Sequence, residues 1–278
     1  MYRATLSALC LIALASCGFS FGPVDYQTTL VLKVCAPGSP QGATPSDCPA
    51  VTTDPGTVLQ DVITRLDNRA ANFQGQSAIT GIGTGEIKVR TTLAGAQAVD
   101  LFGATGSIAF ATPVLGAPDP SNASFVADQR GRFDARQFND ELLYPPGYHW
   151  LIDTRLGAGD VTSATAGTDS TTGQITVDIN FNSQGAAEWT KITNAAYAAY
   201  SADPSADPTT AQLAIFLDSE VLTAPIVTGG GQSNQTEITG NFTADDANTL
   251  ATLISEGPLP APVSVVSVNG QPESPTAP

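Results

Sequence analysis

The most constraining stretch of this chain is residues 243–260, where both ends of one helix are written into the sequence. Thr243 and Asp246 form a T-x-x-D pattern, in which a hydroxyl and a carboxylate satisfy backbone N–H groups left free in the first turn. Ala247, Leu250, Ala251 and Ile254 then recur at i, i+3, i+4 and i+7, the spacing of one buried face. Gly257 suits the left-handed position after the last turn, and Pro258 forbids continuation. Short apolar strands precede this helix. Residues 213–217 have strand length, and Asp218-Ser219-Glu220 reads as a turn in which Asp218 caps local N–H groups. Val221 and Leu222 start a return strand limited by Pro225, and residues 236–240 form another strand.

Earlier in the chain the hydrophobic period switches repeatedly between two and 3.6. Residues 26–34 alternate Leu30, Leu32 and Val34, which reads as a half-buried strand. Asp54 as N-cap and Pro55 at the first helical position open a helix with the stripe Leu59, Val62, Ile63, Leu66 and Ala70. Residues 78–82 and 86–91 make a hairpin around Gly83-Thr84-Gly85. An Ala-rich helix over 94–102 and a strand over 106–112 complete the order β-α-β-β-α-β, the ferredoxin-like signature. Residues 174–181 alternate strictly, with Ile175, Val177, Ile179 and Phe181 on one side, so this strand has one wet face. A helix over 185–200 follows, with Trp189, Ile192, Ala196 and Ala199 on one side, and residues 263–268 form a last strand. A short helix is expected over 134–144, between the Pro-containing linker 116–124 and Pro145-Pro146-Gly147.

The ordered series around the capped helix resembles the head subdomain in the first periplasmic domain of the SecD family of protein translocase subunits. The residues that carry it are Leu217-Asp218-Ser219, Val221, Thr223-Ala224-Pro225, Ile238-Thr239-Gly240-Asn241-Phe242-Thr243, Asp245-Asp246-Ala247 and Gly257-Pro258-Leu259-Pro260. Two positions depart from the family pattern: Ser219 stands where glycine is usual, and Pro258 intervenes between glycine and leucine. Gly159-Asp160-Val161 and the Phe181-Asn182…Gly185-Ala186 junction fit the same head, and Arg65, Asn68, residues 87–89 and residues 107–110 fit its base more loosely. The resemblance implies an α+β fold: a ferredoxin-like base (βαββαβ) with an inserted α+β head. It implies a base over 26–115, a linker over 116–147, a head over 148–257 and a strand returning to the base over 258–268. Its motif residues Asp218, Ala224, Pro225, Gly240, Phe242, Gly257, Leu259 and Pro260 are the candidate head-site positions.

The first sixteen residues read as a lipoprotein signal, with Arg3 ahead of an apolar run that ends at Leu14-Ala15-Ser16-Cys17, a lipobox in which Cys17 is acylated. An ordinary secretory signal with an incidental cysteine is the alternative. Residues 17–25 then serve as a tether and 269–278 as a disordered tail. No later run approaches the ~18 apolar residues that a spanning helix needs. Outside the signal and Cys17, Cys35 and Cys48 remain as a pair flanking a Pro/Gly/Ser-rich loop, which suits a disulfide in an oxidising compartment. Two unlinked thiols, or a metal pair lacking further ligands, are the other readings.

Net charge is −15, which argues against nucleic acid and against electrostatic docking on anionic lipid. The single histidine, His149, excludes a multi-histidine metal site, and no serine or cysteine motif partners it. Gly229-Gly230-Gly231 lacks the following Lys-Ser/Thr of a phosphate loop. No catalytic constellation, metal site or cofactor is implied, and an enzyme is not expected. The resemblance implies a soluble extracytoplasmic module that contacts or holds unfolded secreted polypeptide beside the Sec translocase, and the lipobox would anchor it to the membrane. The competing class is a structural or ligand-binding envelope lipoprotein that reuses the fold.

Overall fold

The structure, a computed structural model, describes residues 24–39, 44–73, 75–116, 147–202, 208–218, 220–231 and 234–272. The segment read as a signal, Cys17, the helix expected over 134–144 and Ser219 lie outside the described residues.

Among the described residues, three antiparallel sheets and four α-helices make an α+β fold. The first sheet is ordered β12-β11-β1-β3-β2. Its strands are β1 (Thr28–Val34), β2 (Ser77–Ile82), β3 (Glu86–Thr91), β11 (Val263–Val268) and the short β12 (Gln271–Pro272). Helices α1 (Pro55–Asn72) and α2 (Gly95–Gly103) cover one face of it. Leu30, Leu32, Ile87 and Val89 from the sheet meet Val62, Leu66, Ala98, Leu101 and Phe102 from the helices in one core. The four-strand order β11-β1-β3-β2 is that of a ferredoxin-like βαββαβ unit, and this body is the base.

Its closing strand differs from the one expected from sequence order. The strand read over 106–112 is β4 (Ile108–Leu115), and it leaves the base altogether. It joins β5 (Tyr148–Gly157), β8 (Ala214–Leu217) and β9 (Glu220–Thr223) in a sheet ordered β5-β4-β8-β9. The last place in the base goes to β11, which pairs with β1 from Leu30↔Val268 to Val34↔Val263. β4 suits its sheet because both its faces meet apolar neighbours. Ile108 and Phe110 face the main head core, and Ala111 packs with Trp150, Ala214 and Phe216 on the other side.

The third sheet is ordered β10-β7-β6, with β6 (Val161–Thr168), β7 (Ile175–Phe181) and β10 (Gln235–Thr239). β6 is a strand that the sequence reading did not identify. Helix α3 (Ser183–Ala202) brings Trp189, Ile192 and Ala196, and α4 (Ala244–Glu256) brings Ala247, Leu250, Leu253 and Ile254, into the core that the second and third sheets share. Phe110, Phe181 and Trp189 meet there with ring centroids 5.6 Å apart in each pair.

The start of α4 forms a full capping box: Thr243 Oγ1 accepts from the Asp246 amide at 3.1 Å, and the Asp246 carboxylate accepts from the Thr243 amide at 3.0 Å. The start of α1 does not. Asp54 sits at φ 44° and makes no side-chain cap, so Pro55 alone marks that start. Cys35 and Cys48 are joined by a disulfide. No helix of the described residues is long and apolar enough to cross a membrane.

Candidate functional site

Two chain crossings connect base and head, residues 104–107 leaving α2 and residues 257–262 leaving α4, and the site is built around them. Arg69, on the last turn of α1, is fully buried at this joint. Its guanidinium donates to the carbonyls of Ala104 at 2.7 Å, Thr105 at 2.6 Å, Leu101 at 3.3 Å and Gly257 at 3.2 Å. One side chain thus ties α1 to the end of α2 and to both crossings. Burial pulls its pKa down to about 10, while the attraction of Asp218 holds it up. It remains a cation at neutral pH.

Asp218 answers from the head side. Its Oδ1 accepts from the amides of Gly106 at 2.9 Å and Ser107 at 2.8 Å, and its Oδ2 accepts from Thr105 at 3.0 Å. Its own amide donates to the Ser107 carbonyl at 2.7 Å. The residue holds φ at 60°, a left-handed turn position that Asp tolerates better than most side chains. Asp218 therefore caps N–H groups as expected of its type, yet the groups lie more than a hundred residues away and not in its own turn. Burial pushes its carboxyl above the ordinary range, against the pull of three amides and Arg69. Gly106 is required between the two charges. It holds φ at +84°, and a Cβ there would lie 2.5 Å from Arg69 Nη2.

The other motif residues distribute along this region without forming a cluster. Gly257 ends α4 at φ 71°, and its amide donates to the Leu253 carbonyl. Leu259 is buried in the base core, with its amide bonded to the Thr105 carbonyl at 2.9 Å. Phe242 and Gly240 are buried near the entry to α4. Ala224 is buried against Trp150 and Phe216, whereas Pro225 and Pro260 are exposed. The sequence reading missed Arg69 entirely.

Beside the joint lies a cleft of about 530 Å³. Ala164, Thr165 and Ala166 of β6 and Asp245, Asn248, Thr252 and Ser255 of α4 form its head side; Asn72, Phe73 and Gln97 form its base side. Asn72 Nδ2 also donates to Glu256 Oε1, and Arg65 donates to the Glu256 carbonyl, closing one end. β6 is the outer strand of its sheet, so every second backbone pair points away from β7. Ser255 occupies one such pair: its hydroxyl accepts from the Ala164 amide at 2.7 Å and donates to the Ala164 carbonyl at 2.9 Å. The register with β7 is regular from Ser163 to Thr168, so the Ala166 amide and carbonyl point the same way, into the cleft. No partner to that pair is found among the described residues. The arrangement offers hydrogen-bonding backbone between small side chains, which suits the main chain of an added extended peptide. Among the described residues, no group of three or more His, Cys, Asp or Glu side chains is placed to hold a metal.

Comparison with known proteins locates this architecture. Residues 142–261 match the family model of the SecDF P1 head subdomain. The protein translocase subunit SecD of Rickettsia felis is 35% identical over 111 residues, covering 40% of this chain and 19% of that protein. The SecD of Syntrophobacter fumaroxidans is 29% identical over 192 residues, covering 66% of this chain and 33% of its own. The chain thus spans a fifth to a third of the length of these relatives. A crystal structure of SecDF in a super-membrane-facing form superposes with a TM-score of 0.55 at 21% identity, over 87% of this chain and 30% of that one. A second structure, described as a membrane component SecDF that enhances protein export, superposes at 0.52 and 22% identity over 86% of this chain and 98% of its own. Residues 142–261 are similar to the P1 head subdomain, the wider likeness extends through the base, and the chain carries a SecD-like P1 domain.

Proposed function

We propose that this protein is an extracytoplasmic lipoprotein, anchored through Cys17, that holds unfolded secreted polypeptide as an accessory of Sec-dependent export. The observation that carries the reading is the open backbone pair of Ala166 on the edge of β6, facing a cleft between head and base. Pairing with main chain is indifferent to side-chain sequence, as a carrier of many secreted chains requires. The similarity of the head to SecD supports the link to export and to the Sec translocase.

The test is a photo-crosslinking amino acid placed at Thr165 or Asn248 of the full-length protein in its own cells. A secretory chain arrested in mid-export should crosslink from both positions and not from Lys191, on the exposed side of α3. Crosslinks only to one fixed envelope protein would support the alternative, a structural lipoprotein reusing the fold. The anchor is tested separately: metabolic labelling with palmitate should be lost in Cys17→Ala.

A further inference from the structure

The charge of this acidic chain is unevenly spread. In the head, Arg155 pairs with Asp153 and Lys191 with Glu188. Arg65 and Arg69 are taken up at the joint. The remaining described cations gather on one surface, the outer face of the base sheet. The register sets Arg90 opposite Thr29, Lys88 opposite Val31, and Glu86 opposite Lys33, all on the face turned away from α1 and α2. Lys88 and Arg90 are exposed and form no ion pair among the described residues. Lys33 donates to the Pro45 carbonyl at 2.9 Å. Glu86 is the one carboxylate in these rows of β1 and β3.

The chain enters at this face. Tyr26 lies under the Arg90 guanidinium, 4.9 Å from carbon to ring centroid, and the Gln27 amide donates to the Thr91 carbonyl. Eight residues lie between Cys17 and Tyr26, so the two are at most about 32 Å apart in extended chain.

We infer that the Lys88–Arg90 face of the base lies against anionic phospholipid headgroups, fixing how the protein stands on its membrane. This rests on the anchor proposed at Cys17. The net charge of the whole chain argues against such docking, but in physiological salt charges more than about 8 Å from the surface are screened, so the local face decides. Each cation near an anionic leaflet favours the docked orientation about fivefold.

The test replaces Cys17 and the residues before it with a histidine tag, tethers the chain to nickel-chelating vesicles, and places a dye at Thr80→Cys, opposite Lys88 on β2. Tethering in this way keeps the result independent of whether Cys17 is acylated, which the palmitate label reads. Quenching by headgroup-labelled lipid should be several-fold stronger on phosphatidylglycerol-containing vesicles than on phosphatidylcholine. It should fall to the neutral level in high salt and in Lys88→Glu/Arg90→Glu. Equal quenching on both vesicles, or quenching that survives the double reversal in a chain with unchanged melting, overturns the inference. Binding of an acidic polypeptide to the face with no response to lipid charge would assign it to a protein partner, and equally overturn it.

Discussion

At the scale of single residues, the joint concentrates its interactions in three positions. Removing the Arg69 head group takes the donor from the part-buried carbonyls of Ala104 and Gly257 and leaves the buried Thr105 carbonyl with the Leu259 amide alone. Arg69→Met is expected to cost about 3 kcal/mol or more in urea unfolding, because unsatisfied buried groups retain their desolvation penalty. Gly106→Ala should also destabilise, by about 2 kcal/mol: it combines a positive φ with a Cβ inside contact distance of Arg69. Unchanged stability in either variant would remove the joint from this account. Arg69 was invisible in the sequence for a physical reason. An arginine at the end of an amphipathic helix reads as a solvated flank, and only the carbonyls brought together from residues 101–105 and 257 make its burial tolerable. Ser255 was missed in the same way, since nothing local marks a serine that will bond the edge of a strand.

At the scale of elements, the wet face of the β10-β7-β6 sheet carries a like-charge pair. Glu237 stands opposite Asp178 in the register, and its carboxyl is raised by burial first, then by Asp178 and Asp169. A folded-state pKa raised above the ordinary 4.5 means the native state binds more protons than the unfolded chain in the interval above that value. Stability should therefore fall as pH rises through that interval, for this group alone. Glu237→Gln is expected to stabilise by a few tenths, up to about 1 kcal/mol, at pH 7 and to do nothing at pH 4. Thermal melts of the two proteins across pH check the sign. The legibility of the elements followed their local signals. α4 was readable because cap, stripe and stop agree within sixteen residues, Thr243 to Pro258, and β7 because large apolar residues alternate without a break. β6 reads VTSATAGT, too small and too even to show a period, and its strand character comes from pairing with β7 and packing under α4. β4 was readable as a strand but not as a member of the head, since sheet membership is decided by partners distant in sequence.

At the scale of the whole molecule, the disulfide and the cleft make separate demands. The Cys35–Cys48 bond closes a Pro/Gly-rich loop beside β1. Cys35→Ser/Cys48→Ser is expected to lower stability by roughly 3 kcal/mol while leaving the distant cleft intact, as unfolding and polypeptide binding measured together would show. The base and head meet so that the open edge of β6 faces a partner-sized gap, and the central claim is that main chain from another polypeptide fills it. Ala166→Pro tests this most directly, because it deletes the amide that points into the cleft while proline remains tolerable on an outer strand. In a titration of the protein with a fluorescent, unfolded secretory polypeptide, binding should be at least about fivefold weaker in Ala166→Pro, with the melting temperature nearly unchanged. Equal affinity in a folded Ala166→Pro would contradict the claim.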